Sequence, residues 1–470
     1  MKKFRAICLF MGILLLLGSV SPAVFADTVD QSVTSGCHSP NAVMQLSNEG
    51  KLAETSKAVI LYERNSDTMI YTWNPDRRIY PSSMVKLMTA LVALENGALT
   101  DQVAVTKRAL SYVSIGSVSA ELKAGEVLSL ESLLYCMMAA SANDAATVIA
   151  EHIAGSQEDF VELMNQKAAQ LGCTGTHYNN THGLHDEMTY TTARDICRIL
   201  DVALENPEFR RFFSAETYTV PATNKSEERV IYTSNDMMRS DKKRYYDERV
   251  TGGKTGSTDQ AGRCLAITAD VNGREILSIV RGAEAIYAPD GLSLITFGSL
   301  EETAELLDYT KKNFACRQIF YDGQVVAQYP VEDGANSVLV QPKQYSSTVL
   351  PVDADASELT WIYGNNVGTI TAPVEQGQVI TQVQVWYGSK CLAQTDLVAV
   401  NAVPKWEPPV DGRVEPEDAK GLYIILGIIA AVIIVIVAAV VLFLKARGWV
   451  YAIRMNARHR QRRMNRRRSR

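Results

Sequence analysis

Apolar residues recur along this 470-residue chain with two different periods. Phe160, Leu163, Met164, Ala168 and Leu171 fall on one face of an α-helix, and Gly172 stops the run. Leu133, Leu134, Met137 and Met138 mark a helix entered at Ser129. It meets Ala139-Ala140-Ser141-Ala142-Asn143-Asp144-Ala145, and helical spacing then resumes to Ile153. Further helices are expected over residues 191–204, capped by threonine, and 300–314. Residues 57–62 and 68–73 alternate as two strands around Asn65-Ser66-Asp67. Residues 250–254, 264–271 and 274–280 read as three more, the last two joined across Asn272-Gly273. Loops dominate 99–128, and 173–190 is a polar loop holding His177, His182 and His185.

The texture changes at Ile319. Short alternating runs follow at 325–329, 338–340, 360–363, 379–387 and 391–398. Within them Val379, Thr381, Val383 and Val385 share one face and Gln382 and Gln384 the other. This pattern predicts a small β-sandwich. Pro404, Pro408, Pro409 and Pro416 then stiffen a stalk over 401–419.

Both ends carry targeting patterns. Lys2, Lys3 and Arg5 precede an apolar run to Val20, with a small-residue cleavage pattern at Val24-Phe25-Ala26. Residues 421–444 hold no charge and are long enough to span a bilayer. Eleven basic and no acidic residues follow in 445–470, which places that tail on the cytoplasmic side. Its position beside the span points to anionic lipid rather than to nucleic acid. The net charge of −5 hides this asymmetry: residues 27–444 carry 33 basic and 52 acidic side chains. So acidic a body argues against nucleic-acid binding.

Of eight cysteines, Cys8 lies in the signal. The other seven are odd in number and scattered, which is not a disulfide framework. Cys136, Cys197 and Cys264 sit in apolar runs and read as small core residues. No Cys-x-x-Cys pair offers a thiolate zinc site.

Candidate chemistry begins at Pro81-Ser82-Ser83-Met84-Val85-Lys86. Proline at a helix entry puts Ser83 and Lys86 on one face, a hydroxyl beside an amine near a helix N-terminus. Such a serine can lose its proton to the lysine, and an oxyanion there can be stabilised. The spacing alone does not decide, because Ser240-Asp241-Lys242-Lys243 repeats it in a charged segment. Two further features converge with it. Ser141-Ala142-Asn143 lies at a break between helical runs, offering a proton relay and an amide. Lys254-Thr255-Gly256 occurs once, on a strand. It offers a cation and a hydroxyl for a carboxylate, and a glycine that lets a substrate backbone approach.

In this order the three motifs resemble those of the penicillin-binding proteins and serine β-lactamases. The flanks resemble the low-molecular-mass D-alanyl-D-alanine carboxypeptidases. They include Phe160-Val161-x-x-Met164-Asn165, His182-Gly183-Leu184, Thr192-Ala193-Arg194-Asp195 and the run from Lys254 to Leu265. The resemblance implies an α+β fold with a β-lactamase/transpeptidase-like catalytic domain, a helical lobe plus an antiparallel sheet. A small all-β domain and one transmembrane helix would follow. It implies Ser83 as nucleophile, Lys86 as its base and Ser141 as a catalytic partner. Asn143, Lys254, Thr255, Gly256 and Ser257 would bind substrate, with the backbone N–H groups of Ser83 and Ser257 forming an oxyanion hole. The implied substrate is a peptidoglycan stem peptide ending in D-Ala–D-Ala, with β-lactams as inhibitors and no cofactor or metal. Departures from the family pattern are Ala142 in place of glycine, Thr251 in place of an acidic residue, Gly253 in place of an aliphatic one, and Ser257 in place of a larger one.

The expected division is a signal peptide (1–26), a leader (27–44) and a catalytic domain (45–315). A β-rich domain (316–400), a stalk (401–419), a transmembrane helix (420–444) and a cytoplasmic tail (445–470) follow. The catalytic domain would then lie on the cell-wall side of a single-pass membrane protein. Three alternatives are open to test. A class A β-lactamase would need a glutamate; Glu162-x-x-Asn165 offers one, but inside an amphipathic helix and too soon after the second motif. A metallopeptidase would use His182, His185 and Asp186, which lack helical ligand spacing. A penicillin receptor would acylate without turnover.

Overall fold

In a computed structural model of the chain, the described residues are 50–287, 294–364, 369–407, 421 and 423–442. The signal, the leader, most of the stalk and the basic tail lie outside them. Residues up to 332 and 336–403 belong to one compact unit; 333–335 and the chain from 404 belong to a second.

Strands β1 (Ala58–Glu63) and β2 (Thr68–Trp73) form the first hairpin. The helical lobe follows, with α1 (Val85–Asn96), α2 (Leu130–Met138), α3 (Asn143–Ala154), α4 (Gln157–Gln170), α5 (Ala193–Ala203) and α6 (Pro207–Phe213). The chain then returns to the sheet as β3 (Val250–Thr258), β4 (Gly262–Val271) and β5 (Arg274–Ala283). The sheet is antiparallel throughout, in the order β2-β1-β5-β4-β3. The β4–β5 turn is Asn272-Gly273, both with positive φ (56° and 75°), the conformation that a two-residue hairpin of this twist demands.

Alternation sorts the sheet's side chains into two cores. Ile60, Ala266, Leu277 and Ile279 face the helical lobe. Val59, Leu61, Leu265, Ile267 and Val280 face helix α7 (Gly298–Asn313), which packs on β4 and β5. At the centre of the first core, α1 buries every residue from Val85 to Ala93. Each fully buried Leu or Met there contributes about 1.5–3 kcal/mol of hydrophobic stabilisation. Cys136, Cys197 and Cys264 are buried and free, as their apolar settings predict. Cys391 is disulfide-bonded.

Strand β6 (Phe314–Phe320) continues directly from α7 into the β-rich region. There β7 (Ala327–Tyr329), β8 (Val338–Pro342), β9 (Ser346–Pro351), β10 (Leu359–Tyr363), β11 (Val379–Tyr387) and β12 (Lys390–Ala399) complete two sheets. One pairs β6 with β9; the other runs β7-β8-β12-β11-β10. Phe320, Val338, Val340, Val383, Val385 and Leu397 fill the core of this region. Phe314 and Val349 pack instead into the core beneath the catalytic sheet, and Tyr387 packs against both cores. Lys390 Nζ donates to the Asp67 carbonyl at 3.0 Å in the β1–β2 turn.

The second unit holds a 20-residue helix, Tyr423–Leu442, long and apolar enough to cross a membrane.

Candidate active site

Ser83 lies in a short 3₁₀ turn, Ser82–Met84, that runs straight into α1. Ser82 sits at φ 53°, a strained value for a serine, and faces Gly183 at φ 84°. A Cβ on Gly183 would stand 2.0 Å from the Ser82 carbonyl oxygen, so only glycine allows this approach. Gly256 is similarly close: a Cβ there would lie 3.2 Å from the Ser83 nitrogen. The β3 backbone is thereby brought against that turn.

Helix geometry places Lys86 Nζ 3.2 Å from Ser83 Oγ. The same Nζ donates to Asn143 Oδ1 at 2.7 Å and to the His182 carbonyl. Lys86 is wholly buried, and burial, reinforced by the nearby Lys254 cation, holds its pKa well below 10.5. A neutral amine has two N–H donors and one lone pair. With Asn143 Oδ1 and the His182 carbonyl taking two N–H groups, the third position on Nζ meets Ser83 Oγ, as a donor in the ammonium and as a lone pair in the neutral amine. His182 is buried too; desolvation, then the Lys86 charge, lowers its pKa to about 3. Its Nδ1 accepts from the Leu184 N–H at 3.1 Å, so the neutral ring locks the loop that supplies the carbonyl.

The second wall comes from the α2–α3 break. Ser141 takes φ 62° there, and its Oγ accepts from Lys254 Nζ at 2.8 Å. Asp144, one residue past Asn143, accepts from Ser119 Oγ and from the Ala120 and Leu122 N–H groups. Those bonds fix the start of α3 and therefore Asn143. Ala142, where the family pattern has glycine, is fully buried with its N–H on the Cys136 carbonyl.

The third wall is β3. Lys254 is buried, and desolvation lowers its pKa to about 7. Thr255 Oγ1 lies 2.6 Å from Ser234 Oγ, and Ser257 is exposed with Arg263 donating to its Oγ. Gly253 has a local reason: a Cβ there would stand 2.3 Å from Asn235 Nδ2. Thr251 donates to Thr268 Oγ1 at 2.8 Å.

The structure thus brings the three motifs together: Lys86 joins Ser83 to Asn143, Lys254 joins Ser141 to β3, and Gly256 abuts Ser83, with Ser257 next along the strand. Sequence reasoning missed the His182 carbonyl and Ser234 as site groups, and Asp144 as the brace of Asn143. The decoy Ser240-Asp241-Lys242-Lys243 is fully exposed. Glu162 is exposed on α4, its Oε1 accepting from Gln166, as expected of a solvated helix position. Among the described residues no group of three His, Cys, Asp or Glu side chains could hold a metal ion.

A family model for D-alanyl-D-alanine carboxypeptidases, peptidase family S11, matches residues 44–285. The chain belongs to that family. A second model, the C-terminal domain of penicillin-binding protein 5, matches 314–405. Family members similar to it include the D-alanyl-D-alanine carboxypeptidase DacF of Bacillus subtilis, 26% identical over 76% of this chain and 87% of the relative. DacA of Haemophilus influenzae is 28% identical over 74% and 85%. Among solved structures, penicillin-binding protein 5 from Haemophilus influenzae superposes with a TM-score of 0.57. It is 29% identical, over 74% of this chain and 98% of that one. S11 membership makes the chain a low-molecular-mass penicillin-binding protein and a serine-type carboxypeptidase, with the α+β catalytic fold and C-terminal all-β region expected of it.

Proposed function

We propose that Ser83 is the nucleophile that cleaves the terminal D-alanine from peptidoglycan stem pentapeptides, with Lys86 as its base. The carrying observation is the buried Lys86 amine, held within hydrogen-bond distance of Ser83 Oγ by Asn143 Oδ1 and the His182 carbonyl. As Ser83 Oγ attacks the carbonyl of the penultimate D-alanine, its proton passes to Lys86. Backbone N–H groups of Ser83 and Ser257 receive the oxyanion. Ser141, its oxygen already accepting from Lys254, relays the proton taken up by Lys86 to the departing amine, which returns Lys86 to its neutral form. Lys254 and Thr255 hold the substrate's terminal carboxylate, and Asn143 holds its amide. D-Alanine leaves; water, losing its proton to Lys86, then frees Ser83. β-Lactams enter as mimics of the same carbonyl and carboxylate.

The domain division stated above is retained, with residues 420–444 as a single-pass anchor. Two sequence features favour the cell-wall side for the catalytic domain: the N-terminal export pattern and the basic 445–470 tail. Mass spectrometry tests the whole reading. Incubation with a pentapeptide stem should release one D-alanine, and labelled penicillin should leave a penicilloyl adduct on Ser83 that is absent from Ser83→Ala. Rapid penicillin hydrolysis without peptide cleavage would overturn it, as would peptide cleavage that survives Ser83→Ala.

A further inference from the structure

We propose that a cationic cavity beside the cleft binds a carboxylate carried by the substrate peptide upstream of its D-Ala–D-Ala end, and so selects acidic stem peptides. This rests on the orientation of substrate along β3 given above.

The cavity, about 340 Å³, is lined by Lys57, Arg77, Arg78, Ile79, Tyr80, Glu187, Tyr190 and Gln260. Among the described residues none of Lys57, Arg77 and Arg78 makes an ion pair, whereas their neighbour Arg194 is held by Asp76 through two bonds. Three free cations face one carboxylate, Glu187, on a body whose net charge is strongly negative. Surface charge normally disperses; an unneutralised cluster of this sign around a concavity is complementary to an anion.

Two of the cations are preset. The Arg78 guanidinium lies 4.4 Å from the centre of the Tyr190 ring. The Lys57 stem crosses Gly282, where a Cβ would meet Lys57 Cδ at 2.9 Å. The wall behind them is fixed from below. Arg281, fully buried, donates through Nη2 to the Ile79 carbonyl at 3.3 Å and the Tyr80 carbonyl at 2.9 Å. Tyr80 in turn meets the His185 ring edge-on, with centroids 4.6 Å apart.

Position supplies the occupant. A peptide whose carboxylate sits at Lys254 and Thr255 and whose scissile carbonyl sits at Ser257 has its upstream residues heading past Thr258 toward Gln260. Gln260 is on the cavity rim. Tyr80, on the opposite rim, precedes Ser83 by three residues, a reach of at most about 11 Å. An extended substrate covers the same distance in two or three residues. The group that fits is therefore a free side-chain or α-carboxylate two or three residues before the cleaved bond.

The experiment compares two N-acylated peptides ending in D-Ala–D-Ala. They are identical except that one has a carboxylate three residues before the cleaved bond and the other a carboxamide. The full-length chain should cleave the carboxylate peptide with kcat/KM about fivefold or more higher, the scale of one or two exposed ion pairs. That ratio should shrink with added salt. In the Arg77→Gln, Arg78→Gln double variant it should fall to near one, with the change in KM rather than kcat. Because the carboxamide peptide is measured on the same variant, a loss of fold cannot imitate the result. Equal turnover of both peptides by the unaltered chain, or a ratio that survives the double variant, overturns the proposal. Release of D-alanine from neither peptide would instead overturn the carboxypeptidase reading beneath it.

Discussion

Replacing Gly183 with alanine should disable Ser83 without touching a reacting group. Two costs arise. At φ 84° an L-residue is disfavoured by about 1–2 kcal/mol. The new Cβ would also stand 2.0 Å from the Ser82 carbonyl oxygen, and the clash is with backbone rather than with a yielding side chain. Restoring an ordinary contact moves the Ser82–Ser83 turn or the 182–183 loop by about 1 Å, the scale at which misplacement costs about 100-fold in rate. The loop carries the His182 carbonyl that orients Lys86, so the base and the nucleophile lose register together. The assay is the second-order rate of penicilloyl formation on Ser83, read beside a thermal melt. Gly155→Ala is the control. It has φ 83°, the same torsional penalty, but its Cβ meets nothing within 4 Å among the described residues. Both variants should lose similar stability from torsion, and only Gly183→Ala should lose about 100-fold or more in acylation. Acylation of Gly183→Ala at the unaltered rate would refute the argument that this contact sets the nucleophile.

Asn143→Ala removes one of the two acceptors that hold Lys86, at a cost of about 1–3 kcal/mol, so acylation should slow about 10- to 100-fold. Asn143→Asp should also be slow near neutrality, because a carboxylate favours the Lys86 cation, and its rate should recover as pH rises; pH-independent loss would contradict the base assignment. The pH profile of kcat/KM should have two limbs. Activity rises as Lys86 sheds its proton, at a pH well below 10.5, and falls as Lys254 loses its charge from about pH 7 upward. Arginine does not titrate there, so any activity left in Lys254→Arg should lack the falling limb; a limb unchanged in that variant would assign it elsewhere.

The three motifs that the fold brings together were legible because each packs its residues close in sequence. Ser83 and Lys86 are one helical step apart, and Ser141 and Asn143 straddle a break visible in the apolar spacing. What holds Lys86 was not legible: the His182 carbonyl arrives 96 residues later and carries no side-chain signal. Strand β3 runs four residues beyond Lys254, which its glycines concealed from an alternation test. Strands β6 and β9 were passed over for a related reason. Exposed residues cluster in the middle of β6 and buried ones in β9, because only part of each strand faces a core. Helix α6 has seven residues, too few to show a period, although Asn206 and Pro207 mark its entry. The cap of α5 is Thr192 rather than Thr191, a one-residue difference set by the bond from the Asp195 N–H to Thr192 Oγ1.

Helix α7 passes without a break into β6, and Phe314 and Val349 sit beneath the sheet while α1 and the cleft lie above it. This gives the unit a mechanical polarity. The β-rich region meets the catalytic body through α7, through the β1–β2 turn at Asp67, and through Arg274 of β5, which donates to Ser347 Oγ. All of these attachments lie outside the Ser82–Met84 turn, so the β-rich region can shift without pulling directly on Ser83.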